Sequence, residues 1–332
     1  MDLSFSSTDE QYRARLRAWL DEHTARLAEA GSVMSTGGDI MAALQFARDW
    51  QRTLWEAGYV GLAWPQEYGG QAASLTEQVI VGEELAKVNT PPLINTIGLA
   101  ILGPTLITHG TDAQRKRFLP RILTADELWC QGFSEPEAGS DLAALATSAV
   151  LDGDDFIVTG QKVWTSMAPI ADWCFLLVRT DPAAPKREGI SYLLADMGTE
   201  GINVHPLRNA AGGIHFSEMF LDEVRIPREN LVGELHGGWK IARTTLANER
   251  SGLSSVLALE QNLTRMRGTA ARLRRGEHTA AADPAIRREL AQRWIEVEGL
   301  RHLGYRTLSA QIAGREPGAG ASVGKLFASQ VR

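Results

Sequence analysis

Between Gln131 and Ser166 the chain reads QGFSEPEAGSDLAALATSAVLDGDDFIVTGQKVWTS, and its residue types could hold an anion or a polar planar group. Ser134, Gly139, Ser140 and Asp141 share a segment with Pro136 and a run of small residues. That composition disfavours regular helix and leaves backbone N–H groups able to point outward at an anion. Asp152, Gly153, Asp154 and Asp155 form a turn signal, after which Phe156 to Lys162 mixes β-branched with polar residues as a strand would. A strand there delivers the indole of Trp164 beside two hydroxyls, Thr165 and Ser166. An aromatic body with adjacent hydroxyl donors suits a planar heteroaromatic ring with polar edges. By themselves the residues favour a plainer reading, a hairpin with a core tryptophan.

A second candidate lies further on. In the helical pattern from Trp239, the apolar residues Ala242, Leu246, Leu253 and Leu257 fall on one face, and Glu249 with Arg250 sits on its borders. Carboxylates seldom go inside unpaired. Glu249 therefore either joins a local structural bridge, which the residues alone favour, or faces a pocket where a raised pKa makes it a proton acceptor.

The elements that must position these residues change character along the chain. Tyr12, Leu16, Trp19 and Leu20 repeat at helical spacing, and further helices are predicted over Ile40 to Ala57, Leu75 to Lys87, Leu93 to His109 with a break at Pro104, and Ala113 to Ile122. From about Glu127 the runs become short and β-branched or aromatic: Trp173 to Val178, Ile190 to Leu194, Ile202 to Pro206 and Glu218 to Ile226. Long helices follow, from Trp239 to about Leu273 and from about Pro284 to Ala313. The expectation is an α+β fold: an N-terminal α-helical domain over 1–124, a middle β domain over 125–234 and a C-terminal α-helical domain over 235–332. Pro317 to Lys325, PGAGASVGK, has the wrong glycine spacing for a phosphate loop and no preceding strand, and is expected to be an interhelix loop. No GxGxxG follows a strand, which counts against a Rossmann dehydrogenase.

With 332 residues, 44% hydrophobic and 22% charged, the chain can bury a sizeable core. A net charge of −6 without a dominant basic face argues against general nucleic-acid binding. The densest basic spot, Arg272 to Arg275, reads as solvated helix surface. Cys130 and Cys174 give neither a disulfide framework nor a metal spacing, and the seven histidines have no close pairs, so no metal site is expected. The start of the chain lacks a secretory pattern and the longest apolar run, around Ile94 to Ile107, is too interrupted to span a bilayer. A cytoplasmic location is the simplest expectation.

SEPEAGSD at Ser134 to Asp141 and GQKVWTSMAPIAD at Gly160 to Asp172 resemble, in order and at similar spacing, the two signatures of the acyl-CoA dehydrogenase family. GYVGLAWPQEYGG, from Gly58 to Gly70, is similar to the family's connector between early helices. The resemblance implies FAD as cofactor, with Gln131, Phe133, Ser134, Trp164, Thr165 and Ser166 around the flavin ring, and Gly139 and Ser140 where flavin and acyl-CoA meet. Ser166 replaces the commoner Thr but keeps the hydroxyl for the flavin N5 edge; Glu137 replaces the common Gly. ANERSGL matches the region where some members carry the catalytic glutamate, which makes Glu249 the implied α-proton base and Arg250 its positioner or a substrate contact. Electrons would pass to an electron-transfer flavoprotein. The family's last helices are expected beyond Arg332, so the chain reads as truncated. Leu273 to Ala291 lacks the R-x-x-F-G motif whose arginine reaches a neighbouring subunit's flavin, as in bacterial members that form unlike-subunit heterotetramers, steroid side-chain types included. Assembly is thus expected as a homo-oligomer or as a heterotetramer with a related subunit. The alternatives are a non-catalytic or half-site subunit and a flavin monooxygenase on the same fold.

Overall fold

Where the sequence changes to short apolar runs, eight strands form one sheet: β1 (Trp129–Gly132), β2 (Ser148–Asp152), β3 (Asp155–Ser166), β4 (Trp173–Arg179), β5 (Ile190–Asp196), β6 (Ile202–Arg208), β7 (Ile214–Pro227) and β8 (Leu231–Val232). This computed structural model describes residues 5–34, 40–88, 90–249, 254–312 and 320–331. Their order is β6-β7-β3-β2-β4-β5-β8, with β1 beside β4. The β1–β4 and β2–β4 pairings are parallel and the others antiparallel. Cys174 to Val178 of β4 and Ile190 to Leu194 of β5 are fully buried, which explains their continuous apolar runs: a strand covered on both faces has no polar side to alternate with. β3 and β7 alternate instead, and their inward residues Phe156, Val158, Met219, Leu221, Val224 and Ile226 close the core of the sheet.

Helices α1 (Ser7–Met34), α2 (Ile40–Glu56) and α3 (Leu75–Lys87) precede the sheet, followed by α4 (Gly103–His109) and α5 (Asp112–Leu123). Ser74 and Thr111 start α3 and α5 with reciprocal capping boxes, to Glu77 and Gln114. The break expected at Pro104 is a π turn over Gly98–Leu102 that leads into α4, so the proline enters near a helix start, where its missing N–H costs little. Beyond the sheet come α6 (Gly238–Glu249), α7 (Ser254–Arg272), α8 (Pro284–Ile312) and α9 (Gly320–Val331). Two sequence readings change here. Arg274 and Arg275 lie not on a helix surface but in a small hairpin, β9 (Arg274–Arg275) with β10 (His278–Thr279), turned by Gly276 at φ +64°. The segment read as an interhelix loop is helical from Gly320 onward, where small residues with Val323, Leu326 and Phe327 continue a helix.

By compactness the chain divides into one unit of Met1–Ala43, Ala72–Pro91 and Arg250–Arg332, and another of Leu44–Gln71 and Pro92–Glu249. In the first, Val256, Leu259 and Leu263 pack with Val297, Leu300, Ala328 and Val331. A charged knot also holds α1 to α3: Arg13 donates to Glu83 at 2.8 Å and to Glu84 at 2.7 Å, and Arg17 and Lys87 reach Glu84 at 2.7 and 2.8 Å. The second unit contains the whole sheet and the segments that support it. Among the described residues, no helix is long and apolar enough to cross a membrane.

Candidate active site

Buried amides fix where β1 enters the sheet. Gln51 Nε2 donates to the carbonyls of Ile122 and Leu123 at 3.0 Å each, and its Oε1 accepts from the Asn95 amide at 3.0 Å. Asn95 in turn donates to the carbonyls of Ile122 and Glu127 and accepts from the Trp129 amide at 3.2 Å. Both side chains are essentially unexposed, so every one of these bonds replaces a lost bond to water. Asp172 pins the same corner, accepting from the Leu128 amide at 2.7 Å and from Arg48 at 2.9 Å. β1 then runs parallel to β4 with Gln131 opposite Phe175.

The chain leaves β1 through Phe133 and Ser134. The Phe133 ring is buried, edge-on to Phe175 and Tyr192 at 5.6 and 5.9 Å. Ser134 and Gln131 are half-buried, and the Ser134 carbonyl accepts from the Val163 amide at 2.9 Å, which sets this segment against β3. Gly139 and Ser140 are exposed, and nothing lies within 4 Å of a Cβ built at Gly139.

β3 is where the pattern departs from simple alternation. A register shift between Lys162 and Thr165 against β7 inserts a bulge, and Trp164 at its centre adopts φ +61°. A non-glycine residue in the left-handed region is strained and needs the surrounding structure to hold it. The bulge turns the Trp164 indole out of the protein at 62% exposure, edge-on to Phe216 at 5.9 Å. The core-tryptophan reading of the hairpin is therefore overturned. Thr165 faces the opposite way: it is fully buried, its Oγ1 finds no partner, and it stands opposite Ser217, whose buried Oγ is also unpartnered. Ser166 is half-buried and pairs with Phe216, the residue whose ring meets the Trp164 indole. Met167, at φ +66°, ends the strand.

Beneath this face lies an ion pair that the sequence reading passed over. Lys162 is completely buried, and its Nζ donates to Glu135 Oε1 at 2.7 Å, the Leu177 carbonyl at 2.6 Å and the Phe133 carbonyl at 3.3 Å. Glu135 accepts in addition from the amides of Ala146 at 2.7 Å and Thr147 at 3.0 Å. Burial lowers the Lys162 pKa, countered by the carboxylate. For Glu135 burial works upward, but the lysine charge and the amides outweigh it and hold the acid below its ordinary value. Glu135 and Lys162 belong one to each of the two signatures, and nothing local in either segment marks them as partners.

Helix α6 is seated by small contacts. Thr105 and Thr245 hydroxyls meet at 3.1 Å, His109 Nε2 and Thr244 Oγ1 at 2.9 Å, and Ile241 and Ala242 are buried. Gly238 lets the helix start directly on β5, since a Cβ there would lie 2.6 Å from the Ser191 backbone. Burial and Lys240 hold the His109 pKa low. Glu249 is the last residue of α6. Its side chain and all of Arg250 lie outside the described residues, as do the side chains of Leu253 and Leu257.

Comparison with known proteins decides the family. The chain matches the acyl-CoA dehydrogenase N-terminal domain at residues 6–126, the middle domain at 130–224 and the C-terminal domain at 236–332. It is 39% identical over 310 residues to the acyl-CoA dehydrogenase IpdE1 of Mycobacterium tuberculosis, covering 93% of this chain and 79% of that protein. This chain belongs to the acyl-CoA dehydrogenase family. As an acyl-CoA dehydrogenase it is an FAD-dependent oxidoreductase, and the three family domains account for its order of helices, sheet and helices. Among solved structures it resembles the ChsE4-ChsE5 complex from Mycobacterium tuberculosis, with 34% identity and a TM-score of 0.83 over 100% of this chain and 83% of that one. It also resembles the Tcur3481-Tcur3483 steroid ACAD, with 32% identity and a TM-score of 0.83 over the same shares of the two chains.

Proposed function

We propose that this acyl-CoA dehydrogenase removes the α and β hydrogens of an acyl-CoA thioester to give the trans-2-enoyl-CoA, with Glu249 as the base that takes the α proton. The observation that carries the cofactor side is Trp164, an indole turned outward on a strained backbone beside the half-buried hydroxyls of Ser134 and Ser166. That donor set fits the ring side of FAD: an exposed aromatic body for the ring, and hydroxyls for its polar edge. Bound FAD supplies the acceptor for the β hydrogen. Gln131, Phe133, Ser134, Trp164, Thr165 and Ser166 form the ring-side wall in this reading, but not all by their side chains. Phe133 contributes through its backbone, since its ring belongs to the core, and Thr165 likewise, since its hydroxyl faces inward. Gly139 and Ser140 border the acyl-CoA, where the lack of a Cβ at Gly139 keeps the approach open.

Glu249 is the last residue of a helix seated on β5 and α4. Arg250 next to it positions the carboxylate or the thioester. The α C–H is weakly acidic, and proton removal gains when the developing charge on the thioester oxygen meets preorganised donors. Electrons leave to an electron-transfer flavoprotein.

The partner is a related subunit. Two observations favour this: both structures named above are assemblies of two different chains, and LRRGEHTAAADPAIRRELA, in which β9 and β10 lie, lacks R-x-x-F-G. The acyl group belongs to the bulky classes, branched or steroid side-chain, as the steroid ACAD likeness suggests. The chain expressed alone is expected to hold much less than one FAD per chain, and coexpression with a related acyl-CoA dehydrogenase subunit to restore a full complement, read from the flavin absorbance. Stoichiometric FAD on the chain alone would reject the shared site.

A further inference from the structure

The residues assigned to the flavin face come from three separate stretches: Gln131 to Ser134, Gly139 to Ser140, and Trp164 to Ser166. One buried pair bonds to the first directly, at the Phe133 carbonyl, and adjoins the other two along the chain. Glu135 directly follows the first stretch, and its carboxylate reaches across to accept from the amides of Ala146 and Thr147, so it closes the loop that carries Gly139 and Ser140 at both ends. Lys162 lies two residues before Trp164 and joins that carboxylate to the Phe133 carbonyl and, through Leu177, to β4. The Thr147 corner is fitted closely: a Cβ at Gly160 would lie 2.5 Å from Thr147 Oγ1, and the Arg179 amide donates to the Thr147 carbonyl at 2.7 Å.

A buried ion pair is weak evidence for stability, because desolvating both charges offsets most of their attraction. What such a pair supplies is geometry: each acceptor has one place to be. Lys162 has three oxygens in reach and the carboxylate two amides and an ammonium, so the bonds fix the spacing between the loop and the strand.

We propose that Glu135 and Lys162 are positioning residues for FAD, a clasp that sets loop 135–147 against the Trp164 strand so that the two present one continuous face to the flavin ring. This rests on the assignment of the flavin face given above.

The test compares Lys162→Met, Glu135→Gln and the double variant, each as the FAD-loading assembly. The single variants leave one buried charge without its partner and lose stability. The double variant carries no buried charge and is expected to recover part of the thermal midpoint, the remainder staying lost with the donor to the Phe133 and Leu177 carbonyls. It does not recover the clasp. Its FAD dissociation constant is expected to stay raised by about tenfold or more, the worth of one or two charge-assisted hydrogen bonds, and the fine structure of its bound-flavin absorption to be blurred. A purely structural pair predicts the reverse, with affinity and spectrum returning along with stability, and that result overturns the proposal. Amide hydrogen exchange in the unaltered protein decides the matter if the variants do not fold. FAD loading should slow exchange at Ala146, Thr147 and Val163 together; unchanged exchange at Ala146 and Thr147 also overturns it. No acyl-CoA enters these measurements, so a failure here is separate from a failure of the dehydrogenation reading.

Discussion

Glu249→Gln is expected to slow substrate-driven reduction of the bound FAD by about 10²–10⁴-fold while leaving FAD content unchanged, the range general-base groups contribute. The amide keeps the shape and hydrogen-bonding reach of the carboxylate but cannot accept the α proton at neutral pH. Binding of acyl-CoA should therefore survive, and the loss should fall on the reduction rate and not on the substrate concentration needed to reach it. Rapid anaerobic mixing with acyl-CoA, followed by the flavin absorbance, separates the two. A variant that bleaches at the rate of the unaltered protein places the base elsewhere in the assembly. A rate that recovers with higher substrate makes Glu249 a binding residue instead.

The second large effect concerns stability. Glu84 is 3% exposed at the side chain and gathers Arg13, Arg17 and Lys87, while Arg13 itself is 6% exposed. Glu84→Gln leaves the buried Arg13 guanidinium with Glu83 at 2.8 Å and Glu10 at 3.7 Å, and is expected to cost about 2–3 kcal/mol, less than a buried pair broken to leave a lone charge because two acids remain. A fall in the urea midpoint at constant slope measures it. Burial pushes the Glu84 acid upward, but the hydrogen bonds from Arg17, Lys87 and Arg13 prevail and hold it down at about 2, against an ordinary value of 4.5. Because the folded pKa is the lower one, the unfolded chain binds the proton first. The stabilisation is thus complete above about pH 4.5 and is lost as the pH falls toward 2, a contribution of about 3 kcal/mol in all. Stability of the Gln variant should be flatter across that window than that of the unaltered protein. Equal acid sensitivity in the two would remove Glu84 as its source.

The layers of the fold were legible because their causes are local. Helical spacing around Leu16 and Leu20 and unbroken apolar runs in β4 and β5 each act within a few residues. Trp164 was legible as chemistry but not as position. A period of two cannot register a bulge, and the added residue between Lys162 and Thr165 decides which side chain faces out. The Glu135–Lys162 pair was hidden because its members lie 27 residues apart and meet only in the tertiary fold, Glu135 on the loop after β1 and Lys162 in β3. The tail from Gly320 was misread because glycine and serine count against helix locally, while the packing of Ala328 and Val331 beside α7 and α8 overrides that preference. The hairpin of Arg274 to Thr279 was missed because two-residue strands carry no periodicity to detect.

The face built from Ser134, Trp164 and Ser166 is proposed to carry an FAD that oxidises an acyl-CoA. Anaerobic addition of short, branched, long and steroid side-chain CoA esters to the FAD-loaded assembly, with flavin absorbance and product mass followed together, tests it most directly. Bleaching by at least one bulky ester is expected, with a thioester product lighter by two hydrogens and a trans-2 double bond. A flavin that stays oxidised with every ester would contradict it.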